Sequence, residues 1–339
     1  MALVDQKNKI TTETQLRKII SGYPKILDKR ICSELDPYCL ELISFSKLVI
    51  AAYSNLDYSM MPLSKKDVVV VGNKTIALRV NYCTSSSDES KGNGEEISYA
   101  SLYFLVPGVD HGLRVNGTLK IQDSKFVLTV KSAYLHCARA AARAELWAHA
   151  NSRVLIEHRK LLSPLQILSE SPYLLMKTMN EMSETELSPR GDKAGFVYLL
   201  DEQRLFIPER PGNKVAVSLR NILRNNEVEL LFFLPGTDYM LHVVGDATLT
   251  NCAKLLDVSA VNNKRPKLGI IVDNCQFLVG QSSAIMQTQP WIGESHVNPH
   301  QLTRFSKALS VHMNGDGLIG KTTSPFIDAV VKNDMRHLY

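Results

Sequence analysis

Residues 186–236 decide the fold, and they read ELSPRGDKAGFVYLLDEQRLFIPERPGNKVAVSLRNILRNNEVELLFFLPG. Two apolar runs, residues 195–200 and 204–208, flank a short polar turn and predict a β-hairpin. Residues 217–224 predict a short helix with one apolar face, and residues 229–234 predict a further strand. The stretch therefore predicts a hairpin, a turn, a helix and a strand in close succession.

Cationic side chains surround this hairpin. They are Arg190, Arg210, Lys214, Arg220 and Arg224. A strong turn signal, Pro-Gly-Asn, lies among them at residues 211–213. Cations at hairpin ends and beside a helix start favour a phosphate-bearing ligand, whereas the alternative is a solvated basic surface with no ligand.

The same stretch resembles a known family through four ordered motifs: SPRGDxxGF, IPxRPGN, SLRNIL and LFFLPG. These resemble the pyridoxamine 5′-phosphate oxidase-like family of FMN-binding split barrels, almost without a break from residue 188 to residue 236. The resemblance implies a six-stranded split β-barrel, usually a homodimer, with FMN in the crevice between two barrels, and hence a flavin-dependent oxidoreductase. It also implies that the FMN phosphate is held at the matching positions Arg190, Arg210, Asn213, Lys214, Ser218 and Arg220.

Length and composition describe an ordinary globular protein. The chain has 339 residues, of which 45% are hydrophobic and 22% charged, and this length suits two domains. A net charge of +5 is too mild to argue for nucleic acid or a membrane surface, and no apolar run approaches the ~20 residues of a membrane span. The start of the chain lacks a signal-peptide pattern, and six scattered cysteines without a CxxC pair suit a reducing compartment. We therefore expect a cytoplasmic protein with a small-molecule substrate.

Two segments of the chain resemble each other. FLVPGVDHGLRVNG at residues 104–117 aligns with FFLPGTDYMLHVVG at residues 232–245, a shift of 235 − 107 = 128 at the shared proline. Further on, FVLTVKSAYL aligns with LGIIVDNCQF at a shift of 272 − 130 = 142. A period of this length is about one domain. The repeat predicts a mainly β protein with helices, built as two tandem split β-barrels that pack as a pseudo-dimer and could pair again as a homodimer.

The predicted halves are residues 1–155 and 156–339, with the boundary in the weakly patterned stretch 148–160. The first half carries N-terminal helices and the second a helical C-terminal extension. Strands of the first half are predicted at residues 48–53, 68–71, 74–80, 97–106, 112–121 and 126–130.

The two halves have lost opposite parts of the family pattern. The second keeps the phosphate-side motifs, where the first offers at best Lys65 and Lys66. The first keeps LRVNG and YLHCARAAARAELW, which the second lacks. An FMN phosphate carries a charge of about −2, and burying it without cations would cost several kcal/mol. We therefore predict one complete composite site, with a twin crevice that binds nothing.

The other half of this composite site comes from the first domain. Arg114 and Asn116 lie two residues apart on a predicted strand and so point to one face. Residues 134–147 predict an alanine-rich helix on which His136 and Arg139 share a face. Tyr134, His136 and Arg139 are candidates for the isoalloxazine or substrate side. The family resemblance places the strand of Arg114 and Asn116 near the cofactor as well. The alternative for His136 and Cys137 is a buried structural role. Flavin supplies the redox chemistry itself, so no catalytic residue is assigned.

Other motifs do not fit their context. GDGLIGKT at residues 315–322 matches the phosphate-binding loop pattern, but a helical-looking segment, not a strand, precedes it and Pro325 should interrupt a helix after it. His296 and His300 have metal spacing, but Pro299 between them disfavours the helix. Two alternatives to the flavin hypothesis stay open: a cofactor-free binding protein on the same fold, and a haem-binding split barrel with His136 or Cys137 as iron ligand.

Overall fold

The computed structural model describes residues 6–23, 25–54, 59–79, 96–122, 125–148, 162–315 and 318–339. The first half contributes the strands β1 (Lys9–Ile10), β2 (Leu48–Tyr53), β3 (Met61–Ser64), β4 (Val68–Gly72), β5 (Thr75–Leu78), β6 (Glu96–Leu105), β7 (Gly112–Gln122) and β8 (Lys125–His136). Strands β2–β8 form one antiparallel sheet in the order β3-β2-β6-β7-β8-β5-β4.

The second half forms a sheet of its own. Its strands are β9 (Tyr173–Met179), β10 (Thr185–Gly191), β11 (Tyr198–Asp201), β12 (Arg204–Pro208), β13 (Glu227–Phe233), β14 (Tyr239–Thr250) and β15 (Gly269–Gln281). They are ordered β10-β9-β13-β14-β15-β12-β11, and β1 adds to β14. The predicted fold class, mainly β with helices, is confirmed, and the predicted hairpin is β11–β12.

The two sheets have the same strand order and matching register. Phe104 pairs with Leu113 in the first sheet, and Phe232 pairs with Leu241 in the second, a shift of 128 on both strands. The predicted shift of 142 for the last strand is wrong. His136 lies opposite Gly112 and Gly280 lies opposite Met240, so the shift is 280 − 136 = 144. The two shifts differ by two residues, which is the side-chain period of a β-strand. Every side chain therefore stays on its predicted face, and the apolar pattern of the sequence cannot distinguish the two alignments.

Nine helices are present in the described part of the chain: α1 (Glu13–Ile19), α2 (Pro37–Phe45), α3 (Arg139–Arg143), α4 (Pro164–Glu170), α5 (Val217–Ile222), α6 (Ala253–Val258), α7 (Ser283–Thr288), α8 (Phe305–Asn314) and α9 (Leu318–Arg336). Local sequence explains the starts of three of them: Thr12 and Ser163 form capping boxes for α1 and α4, and Asp36 caps α2 ahead of a proline. None of these helices is long and apolar enough to cross a bilayer. Pro325 lies inside α9, so the expectation that it would interrupt a helix is wrong.

The helix predicted over residues 134–147 is also wrong. Strand β8 continues to His136, and only Arg139–Arg143 is helical. Pairing with β7, up to Gly112 opposite His136, holds residues 134–136 in the strand, and the alanines that follow form only the short helix α3. His136 and Arg139 therefore do not share a helix face.

The sheets pack on each other through central strands that are buried on both faces. In β2, Val49 and Ala51 face the core of the first half, while Leu48 and Ile50 face a core shared with the second sheet. The period-two alternation of side chains gives one strand two apolar faces. Strand β10 packs against β2, β6 and β7 across this interface.

The two halves exchange their terminal segments. Ile10 and Leu16 belong to the core of the second half, whereas Leu302 and Ala308 belong to the core of the first. Much of the predicted boundary stretch, residues 149–160, lies outside the described residues, so the division at residue 155 stays a prediction.

Candidate functional site

A cavity of about 520 Å³ lies between the two halves, a size that suits a small-molecule ligand. Sheet strands β7 and β8 of the first half and the segments around β10, β12 and α5 of the second line it. Its cationic lining residues are Arg30, Arg114, Arg139, Arg143, Arg190, Arg210, Lys214, Lys264, Arg265 and Lys267. Among the described residues, Glu209 has the one acidic side chain in the lining. Cationic side chains thus outnumber acidic ones in the lining.

The turn before α5 holds two side chains in a costly backbone conformation. Lys214 and Ala216 have φ values of 61° and 58°, in the left-handed region that side-chain-bearing residues rarely adopt. Arg17 of α1 stabilises this turn by donating to the carbonyls of Lys214 at 2.8 Å and Val215 at 3.1 Å. Asn213 adds a side-chain acceptor for the Val215 N–H at 3.0 Å. Strain that the surroundings maintain in this way is typical of ligand clamps.

Arg190 lies at the centre of the phosphate-side residues. It donates to Ser218 Oγ at 2.6 Å, and its Nε lies 3.1 Å from Glu209 Oε2. That Nε atom is buried and makes no hydrogen bond of good geometry. Arg190, Asn213, Lys214 and Ser218 all line the cavity.

Arg210 also lines the cavity, but its guanidinium is already bound within the protein. Its Nε lies 2.5 Å from Asp192 Oδ2, and an Nη donates to the Ser259 carbonyl at 2.8 Å. Both members of this ion pair are buried. Arg220 and Arg224 are absent from the lining; Arg224 instead forms ion pairs with Glu13 and Glu181 on the surface.

The first half contributes Arg114, which is only 2% exposed. Its Nη1 lies 2.8 Å from Glu186 Oε2 and donates to Ser188 Oγ and to the Leu187 carbonyl. Asn116 and Tyr134 do not line the cavity; each donates to Glu186 at 3.0 Å. These two predicted site residues therefore position the carboxylate that holds Arg114. Burial raises the pKa of Glu186, and Arg114 only partly offsets this.

His136 lines the cavity near Arg114. Burial lowers its pKa well below the ordinary value, and the positive charges of Arg114 and Arg30 lower it further. The ring is therefore neutral near pH 7, and its buried Nδ1 makes no hydrogen bond. Cys137 and Arg139 line the cavity beside it.

Sequence patterns missed several lining residues. Arg30, which is 6% exposed, lies with its guanidinium carbon 5.1 Å from the centre of the Tyr134 ring, and its buried Nε makes no hydrogen bond. Arg143 donates to the carbonyls of Gly191 at 3.0 Å and Pro211 at 3.2 Å. Arg143 belongs to the YLHCARAAARAELW motif, from which it could have been predicted as a site residue. No sequence pattern around Arg30 indicates a site.

Residues 337–339 contact cationic side chains of the cavity, and Tyr339 itself lines it. Arg139 donates to the His337 carbonyl at 2.5 Å, Arg143 to the Leu338 carbonyl at 3.1 Å and Lys264 to the Tyr339 carbonyl at 3.0 Å. The Tyr339 hydroxyl donates to Asp192 at 2.5 Å. Arg139, Arg143 and Lys264 therefore each have a hydrogen-bond acceptor within the protein.

The pseudo-equivalent positions, in β3 of the first half and β14 of the second, carry different residues. Matched by register, Leu63 takes the place of Arg190 and His242 that of Arg114. Leu63 is buried in the first core, and Lys65 donates to the Val68 carbonyl. The cations of the described cavity thus have no counterparts at these two positions.

Two antiparallel sheets of one strand order, with a cavity between them that is lined largely by cationic side chains, define a two-lobed, mainly β protein. No protein-family model and no curated protein matches the chain. Similar solved structures include HupZ of Group A Streptococcus, with 15% identity over 36% of this chain and 96% of that one and a TM-score of 0.28. They also include a Lactobacillus delbrueckii protein provisionally assigned as a pyridoxamine 5′-phosphate oxidase, with 17% identity, 35% and 93% coverage and a TM-score of 0.27. The haem storage protein HutZ of Vibrio cholerae matches with 11% identity, 36% and 95% coverage and a TM-score of 0.26.

Proposed function

We propose that this protein binds one FMN in the cavity between its two sheets and acts as a flavin-dependent oxidoreductase on a small molecule in the cytoplasm. The observation that carries the proposal is that candidate site residues from both halves of the chain line the same cavity. Five of the six phosphate-side residues of the second half line the same cavity as Arg114, His136 and Arg139 of the first half; the five are Arg190, Arg210, Asn213, Lys214 and Ser218.

The chemistry of the lining fits an FMN phosphate. That group carries a charge of about −2 and three acceptor oxygens, which suit guanidinium and ammonium donors. Arg190, whose Nε faces Glu209 at 3.1 Å, donates to the Ser218 hydroxyl, and Lys214 is exposed at the turn that follows β12. These three residues would hold the phosphate. Apolar side chains such as Ile19, Ile20 and Phe196 line the cavity as well and suit a flat aromatic ring.

Arg114, His136 and Arg139 would lie on the ring side of the ligand. Bound flavin supplies hydride or electron transfer, so the protein has to bind, orient and shield it. A neutral His136 can accept or donate one hydrogen bond there without adding charge.

Replacing Arg190 or Lys214 by alanine is expected to weaken FMN binding by roughly 10-fold to 150-fold each, because each change removes a charge-assisted hydrogen bond worth about 1.5–3 kcal/mol. Quenching of FMN fluorescence on titration measures the effect. Lys65→Ala is the matched control, because Lys65 lies at the pseudo-equivalent region of the first half and should not matter. Equal losses from Lys65→Ala and Lys214→Ala would contradict a single composite site.

A second candidate ligand is haem, favoured by one observation. His136 is neutral, faces the cavity and has a ring nitrogen without a hydrogen bond, as an axial iron ligand requires. A Soret band on haem titration that disappears in His136→Ala, with no uptake of FMN, would select this function. Protein that takes up neither molecule would favour a cofactor-free binding protein.

A further inference from the structure

Three side chains with metal-binding chemistry meet outside the cavity. Cys32, Asp36 and His312 each offer one ligand atom, and these atoms all lie within 4.8 Å of one another. None of the three lines the cavity described above. They come together where α8, from the C-terminal segment, packs beside the start of α2.

Each of these residues is positioned by a different contact. Cys32 exchanges two backbone hydrogen bonds with Ala133 of β8, at 2.9 and 2.8 Å. Asp36 uses Oδ1 to cap α2, accepting from the Cys39 N–H at 2.8 Å, which leaves Oδ2 to face His312 Nε2 at 2.7 Å. The site is therefore held in place by β8, α2 and α8 independently of any ligand.

The His312 ring is fully enclosed. Its side chain is 0% exposed, its edge packs against the Tyr38 ring at 6.1 Å between centroids, and neither ring nitrogen makes a hydrogen bond of good geometry. The nitrogens of a buried imidazole normally have polar partners, and here the groups beside the ring are ones that also bind metal ions. The nearest candidates are the Asp36 carboxylate and the Cys32 thiol, both only partly exposed.

We propose that Cys32, Asp36 and His312 form a binding site for a zinc-class divalent cation that fixes the C-terminal helices to the first half. A thiolate, a carboxylate and an imidazole are the donors that zinc prefers, whereas magnesium and calcium prefer oxygen alone. Bonds of about 2.0–2.3 Å place tetrahedral ligand atoms about 3.5 Å apart, so a small movement of the side chains completes the site. Three protein ligands leave a fourth position for water.

The test uses the full-length chain, stripped with a chelator and titrated with Zn²⁺ in competition with a chromophoric chelator. One Zn²⁺ per chain is expected for the unaltered protein, with affinity at least 100-fold weaker in Cys32→Ser and in His312→Gln. Matched controls are Cys137→Ser, another partly exposed thiol, and His300→Gln, an exposed histidine of the C-terminal segment. Both should bind as the unaltered protein does.

A second measurement needs no substitution. Zn²⁺ should protect Cys32 from alkylation, read by mass spectrometry of its peptide, and leave Cys137 equally reactive. Absence of stoichiometric Zn²⁺ binding overturns the proposal. Binding that ignores both substitutions and leaves Cys32 unprotected also overturns it, and assigns the Asp36–His312 contact to a plain ion pair.

Discussion

Replacing Arg114 by methionine is expected to lower the free energy of unfolding by about 3–5 kcal/mol, the usual cost of removing one member of a buried ion pair. Methionine fills similar volume but leaves the Glu186 carboxylate facing the interface between the sheets without its cation. Ser188 and the Leu187 carbonyl also lose their donor. Urea denaturation near pH 7 measures the change.

The matched control is Arg265→Met. Arg265 and Asp257 also form an ion pair, at 3.0 Å, but their side chains are 49% and 61% exposed, so the expected loss is about 1 kcal/mol or less. Adding Glu186→Gln to Arg114→Met should restore much of the stability, because it removes the uncompensated charge. A loss from Arg114→Met no larger than that of Arg265→Met would contradict the structural role assigned to this pair.

The Arg114 variant should also respond to pH in a defined direction. The pKa of Glu186 is raised in the folded protein, chiefly by burial, so this group contributes stability that is present below its unfolded pKa and lost as pH rises through its folded pKa. Without Arg114 the folded pKa rises further. The deficit of the variant should therefore shrink toward acid pH, where Glu186 is protonated.

Much of the second sheet was predictable because its strands alternate in a simple pattern. The β11–β12 hairpin and the short helix α5 follow from apolar periods and turn residues alone. The correspondence of Phe104 with Phe232 follows from repeated motifs, and register places both opposite an equivalent leucine. Local chemistry determined these features, so local patterns could find them.

The remaining features depend on contacts between distant segments. Residues 134–136 are not helical because they pair with the neighbouring strand β7. Ile10 and Leu16 pack in the second core, and residues 337–339 bind Arg139, Arg143 and Lys264 in the cavity. Arg30 reaches the site from a segment without a motif. No local pattern encodes such long-range neighbours.

Replacing Glu229 by glutamine is expected to cost about 3–5 kcal/mol of unfolding free energy, since it removes the charge from a buried ionic cluster on the pseudo-equivalent face. Glu229 lies 3.5 Å from Lys177 Nζ and accepts from Ser59 and Met60 of the first half at 2.9–3.0 Å. Lys177, whose side chain is 7% exposed, loses the carboxylate that faces it. Glu227→Gln is the matched control, because Glu227 is exposed on the same strand and should change stability by about 0.5 kcal/mol or less.

The pH dependence of the free energy of unfolding, measured at acid pH, tests the same cluster around Glu229. Burial alone would raise the pKa of Glu229, but a hydrogen bond with His242, the charge of Lys177 and hydrogen bonds from Met60 and Ser59 lower it below its ordinary value. A carboxyl with a lowered folded pKa contributes stability above its unfolded pKa and loses it as pH falls through the folded pKa. Stability of the unaltered protein should therefore fall more steeply than that of Glu229→Gln below about pH 4.5, and parallel curves would show that Glu229 does not link the two sheets electrostatically.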